Sequence, residues 1–449
     1  TSDGVLFSGF GQNTGVFKEG NKMNYQQACF YIEECQQGRG RFGLNKLEEV
    51  LHQLHDPHKK LSFVHVAGTN GKGSTAAMLS SVLTKAGYKT GLYTSPHLMR
   101  YNERMKINGQ DIQDEDFIEA AETVKKVCDK MGGVPIVFEI LTLMALWYFA
   151  KEQCDIVILE VGIGGRIDAT NCIPSPKAAV ITQLGLDHTE TLGDTLEKIA
   201  AEKGGIIKPG CYAVMAEQKE SAMDVVREIC KQKQVPLTIS SVSRMKVLSS
   251  SVEGQQIEDK EYGTIFLPLA GAHQVKNLAN VLETVGVLKQ QGYQISDDAV
   301  VDGIRQTKWP ARMQRLCTNP DFLLDGGHNP QCVQAATEAL KAFYPDKKVV
   351  FLTGMMQDKD TDRMLEEMVP LAQEFVCIHP DSQRAMDQND MCRMLRERYG
   401  VQATACQTVN EGIRTAIKKA GDHAVVCALG SLYLAGEIQS FFEKGEQCR

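Results

Sequence analysis

Short apolar runs alternate with longer segments of helical pattern along most of the chain. A near-continuous run such as Ile156-Val157-Ile158-Leu159 is typical of a parallel strand that is covered on both faces. Alternation of such strands with helices indicates right-handed βαβ units, with the chemistry at the carboxyl ends of the strands. In the first half of the chain the pattern predicts strands at 62–67, 90–94, 155–161, 178–184 and 211–216.

Helical patterns lie between these strands, and we predict helices at 25–35, 76–86 and 136–150. The segment 240–269 differs, because polar, glycine-containing stretches alternate there with short apolar ones. This pattern predicts a small antiparallel appendage, followed by a helix at 273–290.

A second α/β pattern begins after Trp309-Pro310-Ala311-Arg312, where proline disfavours a continuing helix. Its predicted strands are 322–325, 348–353, 375–379 and 424–429, and its predicted helices are 330–343, 360–375, 388–398 and 409–420. We therefore expect an α/β protein with two domains. Residues 23–308 would form a mostly parallel, P-loop-type domain with helices on both faces. Residues 309–449 would form a smaller Rossmann-like domain, and 1–22 a disordered extension.

Composition narrows the function classes. The chain has 449 residues and a net charge of −7, which argues against a nucleic-acid-binding surface. No apolar run reaches the roughly 18 residues of a membrane span, and residues 1–22 lack the pattern of a signal peptide. The 14 cysteines show no CxxC pairs, so no disulfide framework is implied. We expect a cytoplasmic, monomeric protein with small-molecule substrates and with neither nucleic-acid nor membrane partners.

One stretch carries the clearest chemistry. A buried strand ending at Ala67 runs into a glycine-rich turn and then a helix, the geometry that cradles phosphate through backbone N–H groups and the helix dipole. Lys72 would bind the outer phosphates, and Ser74 or Thr75 would offer an oxygen to Mg²⁺. The spacing departs from a standard Walker A motif, because Val66 replaces the first glycine and Gly73 separates Lys72 from Ser74. A tight strand-to-helix turn with a capping serine is the alternative.

Other polar residues follow predicted strands, each with a structural alternative. Glu160 ends an apolar strand, where a carboxylate suits Mg²⁺ or is simply a polar terminus. Ser95 precedes Pro96 and could cap a helix. The turn 162–166 is a second glycine loop, in which Arg166 could meet an anion. His328 and Asn329 follow a Gly-Gly turn and could equally be turn and cap residues.

Taken together, these blocks resemble the folylpolyglutamate synthases and dihydrofolate synthases of the Mur-type ligase superfamily, and they run in family order over nearly the whole chain after Met23. The resemblance rests on 68–74 (GTNGKGS), 93–98 (YTSPHL), 102–104 (NER), 159–171 (LEVGIGGRIDATN), 186–188 (LDH), 201–203 (AEK), Arg312, 325–330 (DGGHNP) and 430–434 (GSLYL).

The resemblance implies ATP-dependent amide formation through an acyl phosphate, with ATP as co-substrate and two Mg²⁺ ions. It implies catalytic roles for Lys72, Lys203 and His328. ATP would be bound by Gly68, Thr69, Asn70, Gly71, Lys72, Gly73, Ser74, Thr75, Asn277, Arg312 and Asp325. The metal ligands would be Ser74, Ser95, Glu160, His188 and Lys203. Folate would be bound by Ile136, Val137, Phe138, Glu139, Ile167, Asp168 and Ala169.

Lys203 receives a special role from the resemblance, which implies a carbamate formed with CO₂. A free ammonium would repel Mg²⁺, whereas burial favours the neutral amine, which can attack CO₂. The carbamate would then be an oxygen ligand, as hard Mg²⁺ prefers. On composition alone, Lys203 is a surface lysine near a helix end. Glu139 has its own alternative, because a helix N-terminus favours a carboxylate without any ligand.

Three functions remain open at this point. The leading hypothesis is a folylpolyglutamate synthase that adds glutamate to the γ-carboxyl of a reduced folate, with or without dihydrofolate synthase activity on dihydropteroate. A Mur-type ligase acting on a cell-wall precursor is the second, although Gly73 and the block 102–104 favour the folate branch. A non-catalytic nucleotide-binding regulator is the third, but it would need no second cation site.

Overall fold

The computed structural model describes residues 22–35, 42–132, 135–382 and 384–445. The predicted extension at 1–22 lies outside these ranges, apart from its last residue. An eight-stranded sheet dominates the first part, with strand order β4-β3-β2-β5-β1-β6-β7-β8. Its strands are β1 (Phe63–Ala67), β2 (Thr90–Tyr93), β3 (Met105–Ile107), β4 (Gln110–Asp111), β5 (Ile156–Glu160), β6 (Ala178–Ile181), β7 (Tyr212–Ala216) and β8 (Leu237–Ser240).

Six neighbouring strands of this sheet are parallel, in the order β2-β5-β1-β6-β7-β8. The β3–β4 hairpin at one edge pairs antiparallel, both within itself and with β2. Helices cover both faces. They are α1 (Tyr25–Glu34), α2 (Gly43–Gln53), α3 (Lys72–Lys85), α4 (Asp114–Met131), α5 (Val137–Lys151), α6 (Thr189–Leu192), α7 (Leu196–Gly204), α8 (Glu220–Lys233), α9 (Ala272–Gln290) and α10 (Asp297–Arg305).

Strand alternation explains why both faces are apolar. In β5, Val157 and Leu159 pack into the core formed with α1, α2, α4 and α5, whereas Ile156 and Ile158 pack on the other face against α3, α9 and α10. Because successive side chains of a strand point to opposite faces, a strand buried on both faces must be apolar throughout. This double burial confirms the sequence-based prediction of a mostly parallel sheet between helices.

The predicted antiparallel appendage is confirmed. Three antiparallel strands form a separate sheet in the order β11-β10-β9, namely β9 (Met245–Ser251), β10 (Gly254–Asp259) and β11 (Gly263–Leu267). Ile257, Ile265 and Leu267 of this sheet pack into the same core as α9.

A second sheet of six strands has the order β12-β13-β17-β14-β15-β16, parallel except for edge strand β12. The strands are β12 (Gln314–Cys317), β13 (Phe322–Leu324), β14 (Lys348–Thr353), β15 (Ala372–Cys377), β16 (Ala403–Ala405) and β17 (Ala424–Ala428). The helices are α11 (Pro330–Phe343), α12 (Thr361–Met368), α13 (Gln388–Tyr399), α14 (Val409–Ala420) and α15 (Leu432–Glu443). The first three pack on one face, and α14 and α15 pack on the other.

One predicted helix in this part is wrong in its extent. The helix expected at 360–375 ends at Met368, and Ala372–Cys377 pairs in parallel with β14. Pro370 lies in the short 3₁₀ turn between them, and proline cannot donate the next helical hydrogen bond. The domain boundary expected at 308/309 stays a prediction. Among the described residues, no helix is long and apolar enough to cross a bilayer.

Candidate active site

A cleft of about 3730 Å³ lies where the carboxyl ends of the central strands of the first sheet face the second sheet. Its walls include the turn after β1, Glu160 at the end of β5 and the loop after β13. Most of the predicted site residues therefore line one cavity, as expected for parallel sheets, whose ligands bind beyond the carboxyl ends of the strands.

The predicted phosphate loop has the expected backbone. Gly71 adopts a positive φ of 86° as the N-cap of α3, which begins at Lys72. A Cβ atom on Gly71 would lie 2.2 Å from the Oδ1 atom of Asn277, so this position needs glycine for its conformation and for space. Asn277 is 4% exposed and donates to the Oε1 atom of Gln274 at 2.9 Å. Asn277 is predicted to contact the nucleotide, and its side chain also packs directly against the backbone of the phosphate loop at Gly71.

The two hydroxyl residues at the start of α3 differ in position. Ser74 lines the cleft, although it is only 2% exposed. Thr75 is fully buried, and its Oγ1 atom has no hydrogen-bond partner within the described part of the chain. The hydroxyl of Thr69 ties the loop to the segment after β6, because it donates to the carbonyl of Gly185 at 3.1 Å. Ser74 is therefore better placed than Thr75 to reach a ligand in the cleft.

Charge in the cleft centres on Lys72 and Glu160. The Nζ atom of Lys72 lies 3.3 Å from the carbonyl oxygen of Thr69, at the mouth of the loop. Glu160 is 4% exposed, and its Oε2 atom accepts the backbone N–H of Ser95 at 3.0 Å. Burial raises the pKa of Glu160, against the opposing charges of Lys72 and Arg312. The carboxylate thus lies beside Ser95, as the resemblance implies for a metal site.

His188 precedes α6 with a positive φ of 50° and lines the same cleft. Burial lowers the pKa of His188. The carboxylate of Asp187 opposes this shift, whereas the ammonium groups of Lys359, Lys72 and Lys203 add to it. Within the described ranges, no group of three or more His, Cys, Asp or Glu side chains could hold a metal ion. The predicted ligands fit an ion that takes one or two carboxylates plus substrate phosphate oxygens, as Mg²⁺ commonly does.

Lys203 is not the surface lysine that composition alone suggests. It lies in the last turn of α7, is 4% exposed, and donates from Nζ to the carbonyl of Gly68 at 2.9 Å. Burial, together with the nearby charge of Lys72, lowers the pKa of Lys203 to about 7. A buried amine with such a pKa is neutral in a large fraction of molecules near neutral pH, and the neutral amine is the form that attacks CO₂.

The second domain approaches the phosphate loop directly. Asn329 donates from Nδ2 to the Oδ1 atom of Asn70 at 3.0 Å, and Asn70 in turn donates to the Oε1 atom of Gln331 at 2.9 Å. Lys359 donates to the Oδ1 atom of Asp187 at 2.7 Å, and both side chains are mostly buried. Burial alone would raise the pKa of Asp187, but the Lys359 ammonium lowers it to about 2.

The remaining predicted residues of the second domain have different environments. Arg312 lines the cleft and donates from Nη1 to the carbonyl of Ala311. Asp325 also lines the cleft, yet its two carboxylate oxygens accept the backbone N–H groups of Met313 and Gly327, each at 2.8 Å. Asp325 therefore holds the junction backbone, whichever ligand it contacts.

His328 also lines the cleft, and its Nδ1–H donates to the carbonyl of Gly326 at 3.0 Å, so its Nε2 atom is the unprotonated nitrogen. Burial lowers the pKa of His328 to about 4, which keeps the imidazole neutral. The Asn329 side chain caps α11 by accepting the N–H of Cys332, which is the cap role that the sequence offered as an alternative.

Five of the seven residues predicted to bind folate line the cleft: Ile136, Val137, Phe138, Ile167 and Asp168. Ile167 is 44% exposed and lines the cleft, so its side chain can contact an apolar ring bound there. Glu139 and Ala169 are buried beneath this surface instead. The Glu139 carboxylate accepts the N–H groups of Phe42, Gly43 and Ile136, so we interpret it as a support for the wall, as its helix-terminal alternative suggested.

Two contributors escaped the sequence reasoning. Lys359 lies six residues after the end of β14, so the rule that located Glu160, a polar residue at the end of a predicted strand, does not single it out. Trp309 had been noted only as a junction residue, yet its ring rests on the phosphate loop. A Cβ atom on Gly73 would lie 2.5 Å from its Cζ2 atom, and nothing local in the sequence indicates that contact.

Comparison with known proteins agrees with this geometry. The Mur ligase middle domain matches residues 66–285, and the Mur ligase glutamate ligase domain matches residues 311–432. The chain is 32% identical to the dihydrofolate synthase/folylpolyglutamate synthase of Bacillus subtilis over 434 residues, which are 92% of this chain and 98% of the relative.

Solved structures extend the likeness to the whole fold. Mycobacterium tuberculosis folylpolyglutamate synthase complexed with ADP superposes with a TM-score of 0.84 at 29% identity, covering 93% of this chain and 99% of that one. Escherichia coli FolC in complex with DHPP and ADP gives 0.82 at 28% identity, covering 93% and 98%.

The fold, the phosphate loop and the facing second domain define an ATP-dependent ligase of the Mur type. Within that class, the chain belongs to the dihydrofolate synthase/folylpolyglutamate synthase family. The family resemblance, the α/β fold class and the assignment to the ADP-forming ligases are confirmed.

Proposed function

We propose that this protein adds L-glutamate in γ-linkage to a reduced folate at the expense of ATP, through an acyl phosphate. One observation carries the proposal. The phosphate loop with Lys72 and an apolar wall formed by Ile136, Phe138 and the exposed Ile167 open into the same cleft. An anion-binding loop beside an apolar ring-sized surface suits a substrate with a flat ring at one end and a carboxylate at the other.

The residues suggest how the reaction is organised. A carboxylate oxygen of the folate attacks the γ-phosphorus of ATP, the bond from phosphorus to the β,γ-bridging oxygen breaks, and ADP leaves. The amine of glutamate then attacks the acyl carbon, loses a proton, and expels inorganic phosphate. Lys72 would stabilise the γ-phosphate oxygens during transfer, because a fixed cation lowers the energy of developing negative charge. Arg312 would reach the phosphates from the opposite wall.

The second step needs an acceptor for the proton of the attacking amine. His328 is neutral, with its Nε2 lone pair available in the cleft wall, which supports its proposed catalytic role. A neutral imidazole held in one tautomer can accept this proton at Nε2, and its pKa of about 4 makes it a weaker base than a histidine of ordinary pKa. Domain contacts such as Asn329 with Asn70 would exclude water from the acyl phosphate while the cleft is closed.

Two Mg²⁺ ions would be held by Ser74, Ser95, Glu160, His188 and Lys203. When bound, they would neutralise the phosphate charge and align the transferring group. Addition of CO₂ to the neutral amine of Lys203, with loss of one proton, would replace a cation by a carbamate whose two oxygens carry the negative charge. The burial of this side chain beside Gly68, and its lowered pKa of about 7, support this chemistry.

Dihydrofolate synthase activity is the second candidate function. The Bacillus subtilis relative carries both names, and the Escherichia coli structure contains DHPP. Both activities use the same acyl transfer, so one cleft could serve the two substrates.

Within the described residues, twelve cysteines are free thiols and one, Cys317, is disulfide-bonded. Free thiols thus predominate. We therefore propose a reducing, cytoplasmic compartment, and a monomer, since one chain supplies both walls of the cleft.

The experiment offers purified protein ATP, Mg²⁺ and glutamate with either tetrahydrofolate or dihydropteroate, and analyses the products by mass spectrometry. Glutamylated tetrahydrofolate, formed together with ADP, is the expected product. Formation of dihydrofolate from dihydropteroate would show that the protein also has dihydrofolate synthase activity. If neither acid gains glutamate at any Mg²⁺ concentration, while the protein still binds ATP, the proposed function is wrong.

A further inference from the structure

Three buried polar side chains form a hydrogen-bonded chain under the glycine loop at 162–166. His65, in the middle of β1, lies with Nε2 at 2.8 Å from the Oγ1 atom of Thr170. Thr170 in turn donates from Oγ1 to the Oδ1 atom of Asp168 at 2.6 Å. His65 and Thr170 are fully buried, and Asp168 is 2% exposed. A polar chain in such a place needs a reason, because buried polar groups are costly unless they are satisfied.

The direction of every proton in the chain can be assigned. Asp168 also accepts the backbone N–H groups of Thr170 at 3.0 Å and of Ile163 at 3.0 Å, so its carboxylate acts only as an acceptor. The Thr170 hydroxyl must therefore give its proton to Asp168 and receive one from His65. His65 is thus the Nε2–H tautomer, and burial keeps it neutral by lowering its pKa to about 3. Its Nδ1 atom has no partner among the described residues.

The loop that Asp168 holds lies between two parts of the site. Gly162 lies against the ring of Phe138 in the apolar wall. The N–H of Arg166 donates at 2.8 Å to the carbonyl of Glu202, the residue before Lys203. At the other end of the chain, His65 lies in the strand that leads into the phosphate loop. The three residues therefore join the backbone of the phosphate loop to that of the glycine loop.

We propose that His65, Thr170 and Asp168 form a positioning relay that sets the glycine loop, and with it Ile167, at the distance from the phosphate loop that the folate requires. The inference rests on the proposed function, since it assumes that the substrate's ring binds along this loop. His65 and Thr170 act through the backbone and need not touch the substrate. Loss of the relay should weaken folate use and leave ATP use nearly unchanged.

Thr170 provides the first test, because one pair of variants separates the hydroxyl from the side chain's volume. Thr170→Val keeps the shape and removes the donor, whereas Thr170→Ser keeps the donor. We expect Thr170→Val to raise the KM for tetrahydrofolate at least tenfold with the KM for ATP changed less than twofold. Thr170→Ser should stay within threefold of the wild type in both. Thr337→Val, a fully buried threonine on α11 that donates to the carbonyl of Gln334, controls for the general cost of losing a buried hydroxyl.

His65 gives a second, independent pair. Glutamine can place an amide N–H near the position of Nε2, whereas leucine has no donor. We therefore expect His65→Leu to raise the KM for tetrahydrofolate by about the same factor as Thr170→Val, and His65→Gln to raise it less. Tetrahydrofolate binding without ATP, measured by calorimetry, should weaken in parallel with KM. If either removal variant leaves the KM for folate unchanged, or if both KM values rise together as in a general loss of structure, the relay is refuted. Inactivity of the wild type towards every folate would instead refute the proposed function.

Discussion

Gly73 is one of the two residues by which this phosphate loop departs from a standard Walker A motif, and the structure gives a reason for it. Gly73 is the second residue of α3, and the Trp309 ring from the domain junction rests on its Cα face. In an ordinary helix position, Gly73→Ala would stabilise the fold by up to about 1 kcal/mol, because alanine is the better helix former. We predict the opposite here.

The magnitude follows from the contact distances. A Cβ atom on Gly73 would lie 2.5 Å from Cζ2 and 3.0 Å from Cε2 of Trp309. These atoms belong to a rigid ring, so the contact can be relieved only by moving Trp309 or the loop. Overpacking of this kind typically costs about 1–3 kcal/mol. Trp309→Leu removes the obstructing ring atoms, so Gly73→Ala should become neutral or stabilising in that background.

A double-mutant cycle measures this directly. The wild type, the two single variants and the double variant are unfolded in urea and followed by circular dichroism, which does not depend on Trp309. We expect an interaction free energy of about 1–3 kcal/mol between the two substitutions, and a raised KM for ATP in Gly73→Ala alone. Effects that add within about 0.5 kcal/mol would show that the two residues do not restrict each other and would refute the reasoning.

Three further substitutions test individual roles. Lys72→Ala should lower kcat by about 10²–10³-fold, as for loss of one charge-stabilising donor. Lys85→Ala, at the other end of α3, is the control. Wild-type turnover in Lys72→Ala would show that Lys72 does not bind the phosphates. Arg312→Ala should raise the KM for ATP more than that for folate, and a loss confined to folate would contradict a two-domain ATP site. Lys203→Ala should lose most activity and recover part of it with added short carboxylic acids, whereas full activity without them would refute the carbamate.

The parts of the site that are built from residues close together in the sequence could be predicted from the sequence. Strand β1, the glycine-rich turn and the helix after it follow one another within about a dozen residues, so the pattern of glycines, cation and hydroxyls is visible locally. The helix itself begins at Lys72, four residues before the predicted start at 76. The carboxyl-end rule then placed Glu160 in the same cleft without any knowledge of the pairing between β1 and β5.

What the sequence could not supply are contacts between residues far apart in the chain. Asn70 meets Asn329 across the cleft, and Gly73 meets Trp309, yet no local pattern pairs them. Glu139 is another example. Its position at a helix start is equally consistent with a ligand contact, and only the approach of the Phe42 and Gly43 amides indicates a supporting role. The helix expected at 360–375 failed for a local reason, because the apolar pattern continues past Pro370 into β15.

The central claim is that this cleft joins glutamate to a folate carboxylate through an acyl phosphate. Tetrahydrofolate labelled with ¹⁸O in its γ-carboxyl group tests it most directly, when the inorganic phosphate released during ligation is analysed by mass spectrometry. Because the carboxylate oxygen attacks phosphorus and leaves with it, the account predicts one ¹⁸O atom in the phosphate for each amide formed. Unlabelled phosphate accompanying glutamylated product would contradict the account.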